Sequence, residues 1–273
     1  MTEHWRLILD PPREGAANMA IDEAILEAVG SGAAPPTLRA YRWAPPCLSL
    51  GYAQPASDAD RARIAARGWH LVRRMTGGRA ILHTDELTYS VTLPAAHPLA
   101  AGSIVESYRR LSGALLDALR AIGLAADADR RAERSTGAAA SGPVCFEVPS
   151  DYEITAGGKK LIGSAQVRRP TAILQHGSLP LTGDLARIAD ALAFPDEAAR
   201  ATARDRIHRR ATTFAAAAGA APTWDAAAHA LAEAFAARFD LALALAPLSA
   251  EEQRRADALC VERYAADSWT FRL

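Results

Sequence analysis

The chain has 273 residues, of which 50% are hydrophobic and 23% charged, as expected of a globular protein long enough to bury a large core. Basic and acidic residues balance at 31 each, so the overall charge does not indicate a nucleic-acid-binding protein. Three widely spaced cysteines argue against a disulfide framework and a zinc site, and no signal peptide or membrane-span-length apolar run is evident, so we expect a cytoplasmic protein without membrane or nucleic-acid partners.

The first part of the chain alternates short strands with helices. Met19, Ile25 and Val29 belong to a set of apolar residues at helical spacing, and glycines follow this helix. Short apolar runs bounded by prolines predict strands. The predicted strands are 5–10, 37–43 and 47–54, and the predicted helices are 18–30 and 58–68.

The middle of the chain predicts a bent pair of strands, a long helix and a hairpin. Residues 70–94 alternate like two strands joined at the glycines, and residues 103–123 carry an apolar helical stripe. Residues 125–142 are small and polar, which predicts a surface loop. Residues 151–169 predict a hairpin with Gly157-Gly158 as its turn, followed by a strand at 171–181.

From about residue 185 onward the pattern is helical. Strands in hairpin-like succession with long helices between them predict an α+β fold with a mixed, mostly antiparallel sheet flanked by helices. We expect a single domain over 1–273, with a core at about 5–220 and a short helical C-terminal extension at about 222–273.

The stretch RRMTGGRAILH places arginines around a glycine turn. Gly77 and Gly78 allow a sharp turn and the close approach of a ligand. Arg73, Arg74 and Arg79 are suited to a phosphate or a carboxylate. From spacing alone, a hairpin turn with solvated arginines is at least as good an interpretation.

Cys145 and Lys160 form a candidate catalytic pair. Cys145 lies in a turn-rich segment between two prolines, where a nucleophile is more accessible than within a strand. A thiol of ordinary pKa needs a cationic neighbour to ionise near neutral pH, and Lys160 on the following hairpin is a candidate. Lys159 and Lys160 point to opposite faces, so one of them faces the covered side of the sheet if that side is covered. On residue types alone, two solvated lysines and a structural cysteine are favoured.

The histidines and the other cysteines carry a weaker signal. His83 and His176 each lie in an apolar strand, where a lone histidine is usually a hydrogen-bonded core residue. If both face one cavity, they line a site. Cys47 and Cys260 occupy apolar positions and are interpreted as buried, inert thiols.

Several stretches taken together, in order, resemble a known superfamily. They are NMAIDEAIL, CLSLGYAQ, RRMTGGRAILHTDELTYS, CFEVPSDYEI, GGKKLIGSAQ and ILQHGSL. This set resembles the lipoate/biotin protein ligase and octanoyltransferase superfamily, and most closely its cysteine-dependent octanoyl-[acyl-carrier-protein]:protein N-octanoyltransferases of the LipM type. The motifs cover roughly residues 5–185.

The resemblance implies roles for residues at matching positions. Cys145 matches the transferase nucleophile, and Lys160 matches the lysine that lies beside the thioester carbonyl. His83 matches the histidine that follows the arginine-rich segment. The residues implied to bind the acyl chain and its head group are Arg73, Arg74, Thr76, Gly77, Gly78, His83, Gly163, Ser164 and Ala165.

The function implied by the resemblance is transfer of an octanoyl group from octanoyl-acyl carrier protein to a lysine of a lipoyl-domain protein, such as the glycine cleavage H protein, through a cysteine thioester. No metal, cofactor or ATP is expected, and we expect a monomer. Three alternatives remain open: an ATP-dependent lipoate–protein ligase, an octanoyl-H-protein:protein amidotransferase, and a non-catalytic acyl- or carrier-binding module.

Overall fold

The computed structural model describes residues 2–129 and 153–273, which form two sheets and the helices that cover them. The strands are β1 (Glu3–Leu9), β2 (Thr37–Tyr41), β3 (Cys47–Leu50), β4 (His70–Arg73), β5 (Ile81–His83), β6 (Glu86–Pro94), β7 (Asp127–Asp129), β8 (Glu153–Ala156), β9 (Lys159–Arg168), β10 (Ala172–Pro180) and β11 (Leu241–Leu245). The α-helices are α1 (Gly15–Gly30), α2 (Arg61–Ala66), α3 (Ile104–Ala121), α4 (Glu197–Arg210), α5 (Phe214–Ala218), α6 (Trp224–Phe239), α7 (Ala250–Leu259) and α8 (Asp267–Thr270).

The larger sheet has eight strands in the order β11-β1-β2-β6-β10-β9-β8-β7, and the smaller has three in the order β4-β3-β5. β1 runs parallel to both of its neighbours, whereas β6, β10, β9 and β8 pair in antiparallel succession. The predicted α+β fold with a mixed, mostly antiparallel sheet is confirmed.

Apolar residues cover both faces of the larger sheet. On one face the core includes α3 and α6, and the predicted stripe of α3 is buried at Leu111, Leu115 and Leu119. On the other face α1 packs against strands of both sheets and, on its other side, against α7. The smaller sheet has its own core with the segment that follows β10 and with α4. α1 therefore lies where the two sheets meet.

The predicted hairpin is present, with Gly157 and Gly158 between β8 and β9. Their φ angles are 56° and 74°, a conformation that favours glycine because a side chain would clash with the backbone. β9 begins immediately after this turn. The turn therefore fixes the position of Lys160, the second residue of the strand.

The structure differs from the sequence interpretation in four places. Residues 70–94 form three strands, and only the first four residues of 47–54 are a strand. The extension contains β11 as well as helices, because its alternating leucines and alanines add a parallel strand beside β1. Residues 127–129 of the predicted loop form β7, and residues 130–142 lie outside the described residues.

No helix in the described part of the chain is both long enough and apolar enough to cross a membrane.

Candidate functional site

A cavity with about 410 Å³ of empty space lies between α1, the larger sheet and the smaller sheet. It is lined by Met19, Tyr41, Trp43, Ser49, Arg74, Gly78, Ile81, His83, Thr88, Gly163, Ser164, Ala165, His176, Gly177 and Ser178. The structure therefore gathers most of the predicted acyl-binding residues around one space.

The floor of the cavity comes from two adjacent antiparallel strands. In the register of β9 and β10, Ala165 lies opposite His176 and Gly163 lies opposite Ser178. Gly177 packs so tightly that a Cβ atom there would lie 2.4 Å from the Ser164 hydroxyl. Gly163 and Ala165 take up little of the space above the sheet, whereas the space beside Gly177 is already filled by protein side chains.

His83 and His176 both line this cavity. The sequence analysis connected these two histidines with a site only if they faced one cavity. The His83 ring stacks on Trp43, with centroids 3.8 Å apart. Its Nε2 lies 2.8 Å from the Ser49 hydroxyl, and its Nδ1 lies 2.6 Å from Glu86 Oε1. Both ring nitrogens are thus already bonded within the protein.

Glu86 is the centre of this polar cluster. The hydroxyls of Thr88 and Ser178 donate to its carboxylate, and the Trp43 indole donates to Thr88 at 2.8 Å. Burial alone would raise the pKa of Glu86, but His83 and the hydrogen bonds outweigh it and hold this pKa below its usual value. Because the polar groups bond to one another, the cavity presents a mainly apolar surface despite its polar residues.

His176 connects the cavity to the glycine-rich turn. Its Nε2 lies 2.7 Å from the Thr76 hydroxyl, and its Nδ1 lies 3.4 Å from Asp22 Oδ2. Asp22 is fully buried on α1 and accepts further bonds from Arg39 and Tyr41. Burial lowers the pKa of His176, while Asp22 opposes that shift. The predicted ligand residue Thr76 is thus a buried partner of His176.

Arg73 does not line the cavity, although the resemblance implied an acyl or head-group contact. Its fully buried guanidinium donates to the carbonyl oxygens of Gly51, Tyr52, Gln54 and Thr270. Because Thr270 belongs to the C-terminal helix α8, Arg73 joins the glycine-rich segment to the end of the chain. The structure gives it a bracing position.

Arg74 lines the cavity, but its guanidinium also bonds to the protein. It donates to the Ser49 carbonyl and hydroxyl and to the carbonyls of Gly77 and Arg79. These bonds hold the turn closed on itself, with Gly78 at a φ of 92°. Arg73 and Arg74 therefore both shape the turn. Arg79 is the third arginine around it.

Lys160 is buried on β9, whereas Lys159 is exposed and donates to the His208 carbonyl. The Lys160 ammonium lies 2.7 Å from Glu153 Oε1. Between Lys160 and Ile162 the strand carries one extra residue relative to β8, a bulge of the kind that redirects side chains. Lys160 lies three residues before Gly163 on the strand that floors the cavity, although it does not line the cavity itself.

Of the cysteines, Cys145 lies outside the described residues. Cys47 is fully buried, and burial, with Glu86 and Glu14, raises the pKa of its thiol. Cys260 is only partly buried, which corrects the prediction for this residue, and burial also raises its thiol pKa. Neither environment favours a thiolate, which leaves Cys145 as the candidate nucleophile.

Asp22, Glu86 and Glu153 surround the predicted residues but were not selected from the sequence. Asp22 and Glu86 do carry a signal: Asp22 shares the face of α1 that carries Met19 and Ile25, each three positions away, and Glu86 is the one charged residue of β6. Charged residues are rarely buried unless they are paired, so a buried carboxylate at these positions is expected to have a hydrogen-bond or ion-pair partner. Which partners they find depends on tertiary contacts that the sequence does not contain.

The chain is similar to known proteins along most of its length. Residues 14–236 match the family described as lipoyl protein ligase A/B catalytic domain. Octanoyltransferase LipM from Kyrpidia tusciae is 42% identical over 98% of both chains, and that from Symbiobacterium thermophilum is 38% identical over the whole of both.

Solved structures with a similar fold include two lipoate protein ligases. A bi-partite lipoate protein ligase from Thermoplasma acidophilum has a TM-score of 0.81 at 25% identity, covering 99% of this chain and 97% of that one. Lipoate-protein ligase A bound with ATP shares the fold, with a TM-score of 0.78 at 24% identity over 99% of each chain. The chain belongs to the lipoyl protein ligase A/B family and, within it, to the LipM octanoyltransferase group.

Proposed function

We propose that this chain transfers an octanoyl group from octanoyl-acyl carrier protein to a specific lysine of a lipoyl-domain protein, such as the glycine cleavage H protein, through a thioester on Cys145. The observation that carries the proposal is an apolar cavity on the strand that bears a buried lysine, in a chain whose relatives are named octanoyltransferases. A lipoyl-domain acceptor suits a family that also contains lipoate ligases.

The cavity holds the octanoyl tail in this scheme. Each methylene removed from water contributes about 0.8 kcal/mol, so an apolar enclosure favours a medium-length chain over a short one. The small residues Gly163 and Ala165 line the cavity and take up little of its width. His83 forms part of the wall, and both of its ring nitrogens are already bonded, to Ser49 and Glu86, so the ring presents an apolar face to the chain.

In the first step, the thiolate of Cys145 attacks the thioester carbonyl of the donor. A new C–S bond forms to Cys145, the bond to the carrier thiol breaks, and the departing thiolate takes up a proton. The Lys160 ammonium donates a hydrogen bond to the carbonyl oxygen as negative charge develops on it. Its ion pair with Glu153 holds the ammonium in position.

In the second step, the neutral amine of the acceptor lysine attacks the acyl-enzyme. A C–N bond forms, the bond to Cys145 breaks, and its sulfur leaves with the electron pair and takes up the proton that the amine releases. Exchange between thioesters is nearly isoergic and the amide product is lower in free energy. In this scheme the reaction therefore proceeds without ATP.

The test is intact mass spectrometry after mixing the protein with octanoyl-acyl carrier protein in the absence of ATP. We expect an increment of one octanoyl group, which is absent in Cys145→Ser and transferred when a lipoyl domain is added. Full turnover by Cys145→Ser without an acyl adduct would contradict the thioester mechanism.

An ATP-dependent lipoate–protein ligase is the second candidate, favoured by the likeness to the Thermoplasma ligase. It predicts modification of the lipoyl domain only when ATP and free octanoate or lipoate are supplied. An amidotransferase instead predicts adduct formation from octanoyl-H protein and none from the carrier protein. A binding module predicts no adduct with any donor.

A further inference from the structure

A surface groove adjoins the cavity and shares Gly78 with it. The groove holds about 1,170 Å³ of empty space and is also lined by Arg79, Arg168 and Arg169. Gly78 borders both spaces, so a ligand in the groove lies beside the cavity.

The charge of the groove is positive and incompletely compensated. No Asp or Glu is among the described residues that line it. Arg168 donates to Gln166 and to two carbonyl oxygens, so its partners among the described residues are neutral. Arg169 lies 3.6 Å from Glu23. A groove of this kind attracts an anion.

Arg79 differs from the other arginines of the turn. Its guanidinium forms no ion pair or hydrogen bond with any residue in the described ranges 2–129 and 153–273, whereas Arg73 and Arg74 direct theirs into the protein. Arg74 donates to the Arg79 carbonyl at 2.8 Å, which fixes the backbone from which the Arg79 side chain extends. An unpaired arginine on a braced turn is suited to bind a phosphate group.

Exposed apolar side chains complete the groove. Tyr52 and Ile104 line it and are 45% and 49% exposed, among the few large apolar residues that reach solvent in the described part of the chain. A ligand that matches the groove therefore combines an anionic group with apolar and amide parts. A phosphopantetheine arm has these features.

We infer that the groove binds the phosphopantetheine arm of the donor carrier protein, with Arg79 as the principal contact of its phosphodiester and Arg168 as a second cation. This inference rests on the proposed octanoyl transfer and adds a residue and a ligand group to it. The arm lies along Tyr52 and Ile104 and leads towards the cavity beside Gly78.

The experiment compares two unreactive ligands, S-octyl-4′-phosphopantetheine and S-octyl-pantetheine, by calorimetric titration. Thioethers do not acylate the enzyme, so the affinity difference between them measures the phosphate contact without any turnover. We expect the wild-type protein to bind the phosphorylated ligand about tenfold more tightly, because a charge-assisted hydrogen bond is lost without the phosphate. Arg79→Gln is expected to remove most of this difference, whereas Arg79→Lys retains part of it.

Arg254→Gln is the matched control, since Arg254 is exposed on α7 and pairs with Glu251 away from the groove. The inference is overturned if wild-type protein shows no preference for the phosphorylated ligand, or if Arg79→Gln keeps that preference. Failure of the transfer assay with wild-type protein would instead refute the proposed function, because the titration does not depend on transfer.

Discussion

Lys160 and Lys159 are adjacent in sequence but occupy opposite environments. Lys160 is 4% exposed and pairs with Glu153, whereas Lys159 is exposed and contacts only the His208 carbonyl among the interactions of the described residues. We expect Lys160→Ala to reduce octanoyl transfer at least about a hundredfold, because the developing oxyanion loses its donor. Initial rates with octanoyl-acyl carrier protein and a lipoyl domain measure this effect.

Lys159→Ala is the matched control for that experiment and is expected to transfer at close to the wild-type rate. Equal losses in the two variants would show that the hairpin, and not the Lys160 ammonium, matters. An unchanged rate in Lys160→Ala would contradict the assigned role.

Glu86 offers a prediction about stability. Its buried carboxylate accepts hydrogen bonds from Thr88 and Ser178 and pairs with His83. The groups around this carboxylate are hydrogen-bond donors, so replacement by Gln places an amide donor against other donors. We expect the free energy of unfolding to fall by about 1–3 kcal/mol. Urea denaturation at neutral pH measures it. Glu251→Gln, at an exposed site, is the control, and equal stabilities of the two variants would refute the argument.

At the scale of elements, β10 and the glycine-rich turn are joined through His176. Its ring lies between Thr76 and Asp22, and the charged groups that face it also include Arg74 and His83. Burial lowers the pKa of His176 below the ordinary value of 6.5, with Arg74 and His83 acting in the same direction and Asp22 against it. The folded protein therefore keeps this ring neutral to lower pH than the unfolded chain does.

The sign of the pH effect follows from that shift. Just below pH 6.5 the unfolded chain binds more protons at this site than the folded protein, so the contribution of His176 to stability is lost as the pH falls through this region. One proton contributes at most about 1.4 kcal/mol per pH unit. We expect the free energy of unfolding to decrease more between pH 7.5 and 5.5 in the wild-type protein than in His176→Gln. Parallel pH profiles would contradict this account.

Elements with a strong local signal were predictable, and elements that depend on a distant partner were not. The stripe of α3 and the glycines of the β8–β9 turn carry their own structural information. β11 is short and lies at the edge of the sheet, where pairing with β1 decides its conformation. The β9 bulge beside Lys160 likewise depends on β8, so alternation alone could not show which lysine is buried.

For the site, the resemblance supplied residues that the structure then placed in different positions. Gly163, Ser164, Ala165 and His83 line the cavity as implied. Arg73 instead braces the turn. It donates to the Thr270 carbonyl, which lies 197 positions away in the sequence. Contacts of such long range leave no local pattern in the sequence.

At the scale of the whole molecule, the C-terminus closes over the start of the glycine-rich segment. The Trp269 indole donates to the Arg73 carbonyl, Arg73 donates to the Thr270 carbonyl, and the Ala56 amide donates to the carbonyl of Leu273. Arg73 has no carboxylate partner among the described residues, so it depends on these carbonyls.

Deletion of residues 267–273 is therefore expected to lower the free energy of unfolding by at least about 1–3 kcal/mol, the cost of leaving a buried donor unsatisfied. Urea denaturation provides the measurement. Val261→Ala, at a 76% exposed site of the same extension, serves as the control and is expected to have little effect. A truncated protein as stable as the control would show that the C-terminus does not brace Arg73.

The most direct test of the account is the mass of the protein after it meets octanoyl-acyl carrier protein without ATP. The account predicts one octanoyl increment, lost in Cys145→Ser and discharged onto a lipoyl domain. An unmodified protein under these conditions, together with labelling of the lipoyl domain only when ATP and a free acid are present, would contradict it.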